Sequence, residues 1–241
     1  MRRLGIAGAG RVVAGGLLLA AIVAGTRAWD GYPDIRRLAS ANPDTVAVIE
    51  RERELGDHVV TWTWVPLHNL SPHLLRAILV AEDIDFFSHS GFSWPELRAA
   101  LSDARGGARA RGASTITQQL AKNLWLSPER TVSRKLKEAV LAAELERRLS
   151  KGRILELYVN LVPFGPGVFG AEAAAQRYFG KAALFLTERE SAELAAALSR
   201  PSQWNPRSQA PEYQDRVSLL QRRMAAAEFL WRHLAQLWYR R

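Results

Sequence analysis

The sequence contains no cysteine. This absence excludes disulfide bonds, zinc sites with cysteine ligands and thiol nucleophiles, while it leaves the redox compartment open. The five histidines show no metal-ligand spacing, and neither a GxSxG nor an SxxK motif occurs, so nothing indicates acyl-transfer chemistry. Lysine is also scarce, since 28 of the 33 basic residues are arginine. With 48% hydrophobic and 24% charged residues over a length of 241, the composition predicts one globular domain or two small ones.

The net charge of +9 is concentrated at the two ends of the chain. Residues 1–30 contain four arginines and one aspartate, and residues 201–241 contain seven arginines and three acidic residues. The region between them is nearly balanced. A dedicated DNA-binding protein would carry its basic surface on the folded domain, so this distribution favours a protein that faces a membrane.

The N-terminal segment has the features of a membrane anchor. Val12–Thr26 is uncharged and follows three arginines. Fifteen residues are fewer than the roughly 20 that cross a bilayer, but Leu4–Gly10 is also apolar, and Arg11 can extend its charge toward the headgroups. We predict an uncleaved transmembrane helix within residues 1–29, with the remainder exported across the inner membrane to the periplasmic or external side. A cleaved signal peptide and a buried N-terminal helix are the alternatives.

The rest of the sequence predicts a mainly α protein. Residues 30–57 are polar and weakly patterned, which indicates a linker with a few helical turns. His58–Val65 is rich in β-branched and aromatic residues and predicts one short extended segment. Residues 58–209 form the predicted domain, and residues 210–241 form an amphipathic helix whose apolar face packs on the core. Leu161–Gly170 reads as an aperiodic loop. The predicted helix starts carry capping residues: Ser71, Ser93, Thr115, Ser127, Ser150 and Thr187.

Three acidic residues cluster near the predicted C-terminus of one helix: Glu82, Asp83 and Asp85. The helix dipole disfavours carboxylates there, and like charges and partial burial make a carboxylate more basic. The cluster is therefore a candidate general base. A solvated acidic loop is the alternative, which spacing alone favours.

A second candidate is the predicted helix from Pro128 to Leu149. Arg130, Arg134, Lys137 and Glu138 follow helical spacing and share one face. Such a basic stripe suits a phosphate or pyrophosphate group whose charge must be neutralised during transfer. The alternative is a solvated helix face with an Arg134–Glu138 ion pair.

A third candidate is Gly112–Asn123, whose hydroxyl and amide groups could bind sugar hydroxyls. A polar helix face explains the same residues nearly as well. These three segments belong to an ordered series of motifs that also includes WVPL at Trp64–Leu67, ILELYVN at Ile154–Asn160 and FGPGVFGAEAAAQRYFGK at Phe164–Lys181.

This series resembles the peptidoglycan glycosyltransferase family, in its monofunctional, membrane-anchored form. The resemblance covers about residues 60–206 and implies a lysozyme-like, two-lobed α fold that polymerises lipid II and releases undecaprenyl pyrophosphate. It implies that Glu82 is the general base and that Glu138 is a second catalytic glutamate near the donor pyrophosphate. The substrate-binding residues that it implies are Asp83, Phe86, His89, Ser114, Thr115, Gln118, Gln119, Lys122, Asn123, Arg130, Arg134 and Lys137.

The resemblance also sets expectations for ligands and partners. No cofactor is required, although a divalent cation (Mg²⁺ or Mn²⁺) assists some members and would lie at Glu138. The expected partners are lipid II, the growing glycan chain, the bilayer, and cell-wall synthesis or division proteins, but not nucleic acid. Two positions depart from the family pattern: Ser93 stands where aspartate is frequent, and Ala113 where glycine is usual.

Three other functions remain open at this point. A lysozyme-like hydrolase or lytic transglycosylase would need an acid in a sugar cleft, but no basic stripe for pyrophosphate. An inactive membrane-anchored scaffold is the second. The third is an RNA-binding protein acting through Arg105–Arg111, which lacks aromatic residues for base stacking.

Overall fold

The computed structural model describes residues 33–92, 114–129 and 131–239, and this part of the chain is mainly helical, as predicted. The helices, in chain order, are α1 (Ala47–Leu55), α2 (Pro72–Glu82), α3 (Ile116–Trp125), α4 (Val132–Arg148), α5 (Lys151–Leu161), α6 (Ala171–Phe179), α7 (Glu188–Ala197), α8 (Pro211–Ala226) and α9 (Leu230–Tyr239). Short 3₁₀ turns lie at Ile35–Ala39, Leu67–Asn69, Phe86–Ser88 and Ala183–Phe185. Helix α2 packs against α7, α8 and α9, while α3 packs against α4 and α5.

A small three-stranded sheet joins two distant parts of the chain. It consists of β1 (Thr61–Trp62), β2 (Pro163–Gly165) and β3 (Val168–Phe169), with β3 in the centre. Strand β1 confirms the predicted extended segment. The two later strands differ from the predicted aperiodic loop, because their Gly and Pro residues hid a hairpin. The backbone at Gly170 has φ of 79°, and a Cβ there would lie 2.5 Å from the Asn160 carbonyl oxygen, so only glycine fits.

Asn160 connects the sheet to α5 and explains why two sequence motifs occur together. Its side chain accepts a hydrogen bond from the Val65 N–H at 2.9 Å and donates one to the Val65 carbonyl at 2.9 Å. The indole of Trp62 donates to the Asn160 backbone carbonyl at 2.8 Å. The WVPL and ILELYVN segments are therefore structural partners.

The segment predicted as a linker packs into the core instead. Ile35, Leu38 and Ile49 are buried, and α1 contacts α3. Arg153 on α5 fixes this segment by donating to the Leu38 carbonyl at 2.8 Å and to the Ala41 carbonyl at 2.8 Å. The few apolar residues are widely spaced in the sequence, so the pattern did not reveal that they share one buried side.

Most of the predicted helix starts are found, with two differences. The side chains of Thr115, Ser150 and Thr187 cap α3, α5 and α7. Ser71 is the N-cap residue of α2 as predicted, but its hydroxyl donates to the Leu186 carbonyl at 2.8 Å and makes no capping hydrogen bond to the helix. Helix α4 begins after Thr131, which caps it, and not after Ser127. The predicted cap at Ser93 lies outside the described residues.

The C-terminal region forms two helices rather than the predicted single one. Helix α8 ends at Ala226, Ala227 is its C-cap residue, and α9 begins at Leu230. The predicted packing face is confirmed, because Leu220, Met224, Ala227 and Leu234 are buried. Trp231 is half-buried and lies under the Arg76 guanidinium, 4.3 Å from its ring centroid.

The predicted membrane anchor lies within residues 1–29, outside the described residues. Over the ranges that the structure covers, no helix combines the length and the apolar character needed to cross a bilayer.

Candidate active site

A cleft of about 430 Å³ lies between α1, α3 and α4. Its lining includes the apolar residues Val48 and Leu126 and six of the polar residues that the sequence predicted for the site. The polar lining residues are Arg51, Ser114, Gln119, Lys122, Asn123, Ser127, Arg134, Lys135 and Glu138. The structure therefore brings two separate motifs, Gly112–Asn123 and the α4 stripe, to one site.

Glu138 is the buried acid of this cleft, with an exposed fraction of 3%. Both of its carboxylate oxygens are paired. Arg134 donates to one at 2.6 Å, and the Lys135 ammonium contacts the other. Lys135 also donates to the Ser114 hydroxyl at 2.9 Å. A buried carboxylate needs such partners, and the pairing holds two cationic groups at the cleft surface.

Lys122 lies between the two predicted catalytic carboxylates. It is accessible to solvent, but the concave wall surrounds it with protein atoms. This partial burial lowers the pKa of Lys122; Glu138 and more weakly Glu82 oppose the shift, and the cations of α4 add to it. Lys122, Arg134 and Lys135 thus form a cluster of three positive groups with one internal counterion.

Glu82 is the last residue of α2 and is half-buried. Its Oε2 atom accepts a hydrogen bond of 2.9 Å from the Gln119 Nε2 atom, and Gln119 lines the cleft. Arg216 on α8 also lies within electrostatic reach; burial lowers the pKa of Arg216, and Glu82 opposes that shift. Glu82 is therefore joined to the cleft through Gln119, and no cation pairs with it directly among the contacts that the structure describes.

The next three predicted site residues, Asp83, Phe86 and His89, do not line the cleft. Asp83 is buried and accepts hydrogen bonds from the Ile116 N–H at 2.9 Å and from the His89 ring at 2.9 Å. The Gly91 N–H donates to His89 Nδ1, so the Nε2 atom carries the ring proton that reaches Asp83. Phe86 is fully buried. Asp83 and Phe86 are therefore enclosed by protein, and the substrate contacts that the resemblance implied for Asp83, Phe86 and His89 remain predictions.

The predicted sugar-binding residues divide in the same way. Gln119 and Asn123 line the cleft, as does Ser114. Thr115 and Gln118 are buried and form the capping box of α3, each bonding to the backbone of the other. Their side chains therefore stabilise the N-terminus of α3, the helix that carries Gln119 and Lys122.

Two predicted members of the stripe, Arg130 and Lys137, are not among the residues that line the described cleft. Arg130 lies outside the described residues. Lys137 is partly buried and does not line the cleft. Lys135, which the sequence analysis did not select, takes the place beside Glu138; its i, i+3 spacing to Glu138 was the available signal.

The donor set around Glu138 does not suit a divalent cation. Both carboxylate oxygens already face cationic side chains, and Lys122 adds a third positive charge. Nowhere in the described ranges do three acidic or histidine side chains come close enough to hold a metal ion.

Comparisons with known proteins give one consistent result. The family model described as "Transglycosylase" matches residues 50–225. A protein named biosynthetic peptidoglycan transglycosylase from Alcanivorax borkumensis is 45% identical over 192 residues, which cover 79% of this chain and 78% of that protein. Proteins with the same name from Azoarcus sp. and Methylobacillus flagellatus are 43% and 37% identical, over 78% and 88% of this chain and 83% and 96% of theirs.

Proposed function

This chain belongs to the transglycosylase family, and from that premise we propose that its cleft polymerises lipid II into β-1,4-linked glycan strands. The protein is a peptidoglycan glycosyltransferase of the cell envelope. The observation that carries the proposed mechanism is the division of its two glutamates: Glu138 is enclosed by cations, whereas Glu82 is held by a neutral amide.

We infer that Glu82 is the general base. It takes the proton from the 4-hydroxyl of the acceptor N-acetylglucosamine while that oxygen attacks C1 of the donor sugar. The C1–O bond to the pyrophosphate breaks, and the configuration at C1 inverts. A general base must not be neutralised by an ion pair, and the Gln119 amide that contacts Glu82 is neutral.

The cluster of Lys122, Arg134 and Lys135 would bind the leaving undecaprenyl pyrophosphate. Negative charge develops on the bridging oxygen as the C1–O bond breaks, and fixed cations in a partly desolvated cleft stabilise that charge. Glu138 fixes the positions of Arg134 and Lys135, so its role in this proposal is to orient the cations.

The same geometry counts against a glycoside hydrolase. Such enzymes place two carboxylates on either side of the glycosidic bond, one as acid and the other as base or nucleophile. Here the second carboxylate is buried and has both oxygens paired, so it is not free to attack or to activate water. An inactive scaffold would not need three cations maintained at a cleft surface.

We also propose where the protein is located and how its domain is shaped. We infer a lysozyme-like, two-lobed arrangement, and an N-terminal helix within residues 1–29 that holds the protein in the inner membrane. Family membership and the apolar segment Val12–Thr26 support these inferences. Lipid II is itself a membrane lipid, so an enzyme anchored beside its substrate searches in two dimensions.

Incubation of the full chain with fluorescent lipid II tests the function. We expect polymer that lysozyme degrades, together with released undecaprenyl pyrophosphate, in the absence of added Mg²⁺ or Mn²⁺. Preformed glycan that becomes shorter would identify a hydrolase, and unchanged substrate in folded protein would support a scaffold.

A further inference from the structure

One buried tyrosine, Tyr158, has no part in the proposed transfer mechanism. Tyr158 lies on α5 and is fully buried. Its hydroxyl group donates a hydrogen bond of 3.1 Å to the Gln119 Oε1 atom. Core packing alone explains the ring, but it does not explain a polar hydroxyl directed at a residue of the cleft.

Gln119 is held at both ends of its amide group. The carbonyl oxygen accepts from Tyr158, while Nε2 donates to Glu82 at 2.9 Å and lies 3.5 Å from the Ser114 carbonyl. If the amide rotated by half a turn, its oxygen would face the Glu82 carboxylate, and two acceptors would repel each other. Tyr158 at the amide oxygen therefore acts together with Glu82 and the Ser114 carbonyl at Nε2 to fix which end of Gln119 meets Glu82.

The Tyr158 hydroxyl remains a donor over the working pH range. Burial raises the pKa of Tyr158 well above its ordinary value, and the nearby Glu82 and Asp83 carboxylates raise it further. The other charged groups that face Glu82 are Lys122 from α3 and Arg216 from α8, with Asp83 next to it in the chain. None of these fixes the orientation of the Gln119 amide.

We propose that Tyr158 is a positioning residue for the transfer reaction, acting on Glu82 through Gln119. Its hydroxyl locks the amide so that an N–H group always faces the Glu82 carboxylate and orients it. Donation into the amide oxygen also polarises the N–H and strengthens its bond to Glu82. This inference rests on the proposed role of Glu82 as the general base.

The proposal predicts a change in pH dependence. A hydrogen bond to the ionised form of a carboxylate favours that form, so its loss means that more of the base is protonated at a given acidic pH. Tyr158→Phe should move the acidic limb of the kcat/KM profile to higher pH by about 0.5–1 unit, which corresponds to a loss of roughly 3- to 10-fold on that limb. Near the plateau the two enzymes should converge.

Tyr213→Phe is the matched control. The Tyr213 hydroxyl is also buried and donates a hydrogen bond of 3.0 Å, but to the Glu193 backbone carbonyl between α8 and α7. Both substitutions delete one buried hydroxyl, so a general packing defect should appear in both melting temperatures. Only Tyr158→Phe should displace the acidic limb.

The experiment measures kcat/KM for fluorescent lipid II against pH for the wild-type protein, both tyrosine variants, Gln119→Leu and the double variant Tyr158→Phe/Gln119→Leu. If Tyr158 acts through Gln119, it should produce no further shift once Gln119 is replaced. A Tyr158→Phe profile that is lowered equally at every pH, or a shift that persists without Gln119, would overturn the inference. Full activity in Glu82→Gln would instead overturn the base itself, so the two failures are distinguishable.

Discussion

At the scale of single residues, the two glutamates differ in what surrounds them, and Glu82 gives the most direct test. Glu82→Gln keeps the size of the side chain and removes the basic oxygen. We expect the rate of lipid II polymerisation to fall at least about a hundredfold, the lower end of general-base contributions. Initial rates should be compared with those of Glu212→Gln, an exposed residue of α8. A folded Glu82→Gln protein with normal turnover would remove Glu82 from the mechanism.

Lys135 provides the second test at this scale. Lys135→Met removes a cation that contacts Glu138 and Ser114 in the cleft, and it should lower kcat by about a hundredfold, as the loss of a transition-state donor does. Lys135→Met also leaves one oxygen of the buried Glu138 carboxylate without its cationic partner, so the free energy of unfolding should fall by about 1–3 kcal/mol in a protein that still folds.

Two further lysines calibrate that measurement. Lys181→Met removes a lysine that pairs with Glu190, and kcat should be unaffected. Lys137 was selected from the sequence, but it does not line the described cleft, so Lys137→Met should lower kcat less than Lys135→Met does. A larger loss of kcat in Lys137→Met than in Lys135→Met, with both proteins folded, would show that the leaving group binds the other side of α4.

The sequence was informative about which residues belong to the site and less so about which way they point. Glu82, Gln119, Lys122, Arg134 and Glu138 all lie at or beside the cleft. Their motifs could be found because each combines a charge or amide with helical spacing. Lys135 was missed because the start of α4 was placed too early and an i, i+4 pattern was preferred to i, i+3.

At the scale of elements, Asp83 joins the end of α2 to the start of α3. One carboxylate accepts from the Ile116 N–H and the His89 ring, and it thereby fixes Glu82 relative to Gln119. In Asp83→Asn the new NH₂ group would meet either a backbone N–H or a ring N–H, and one buried donor would lose its acceptor. We expect the free energy of unfolding to fall by about 1–3 kcal/mol.

Chemical denaturation of Asp83→Asn and of Asp85→Asn, an exposed neighbour, measures that effect. The positioning role predicts a loss in kcat without a large rise in KM, since Asp83 is buried and does not meet the substrate. A raised KM with unchanged stability would restore the substrate contact that the family resemblance implied.

The elements themselves show where sequence patterns carry information. Capping boxes at Thr115 and Thr187 were predictable because they depend on residues three positions apart. Helical turns around Ile35 and Ile49 were expected but their burial was not, because it depends on distant contacts: Arg153 binds the segment after Ile35, and α1 packs against α3. The strands β2 and β3 are so short that only their pairing with each other, and the pairing of β3 with β1, reveals them.

At the scale of the whole molecule, the two basic ends of the chain are expected to have different roles. The predicted anchor within residues 1–29 is apolar, whereas the C-terminal helices bury Leu220, Leu230 and Leu234 in the core. Trp231 adds a contact with Arg76 on α2, the helix that ends at Glu82. The first end should therefore attach the protein to the membrane, and the second should stabilise the fold.

Two truncations separate these roles. Because residues 1–29 are predicted to lie in the membrane, a protein of residues 30–241 should melt within a few degrees of the full chain, but high salt should release it from vesicles containing phosphatidylglycerol. A protein of residues 1–229 lacks Leu230 and Leu234, each of which stabilises by about 2–5 kcal/mol when buried, so its melting temperature should fall by at least about 8 °C. Leu234→Ala should lower the melting temperature more than Leu219→Ala, because Leu234 is buried and Leu219 is exposed. This pair repeats the comparison without a truncation. Flotation and thermal melting would contradict this division if residues 1–229 left the vesicles while residues 30–241 stayed bound through α9.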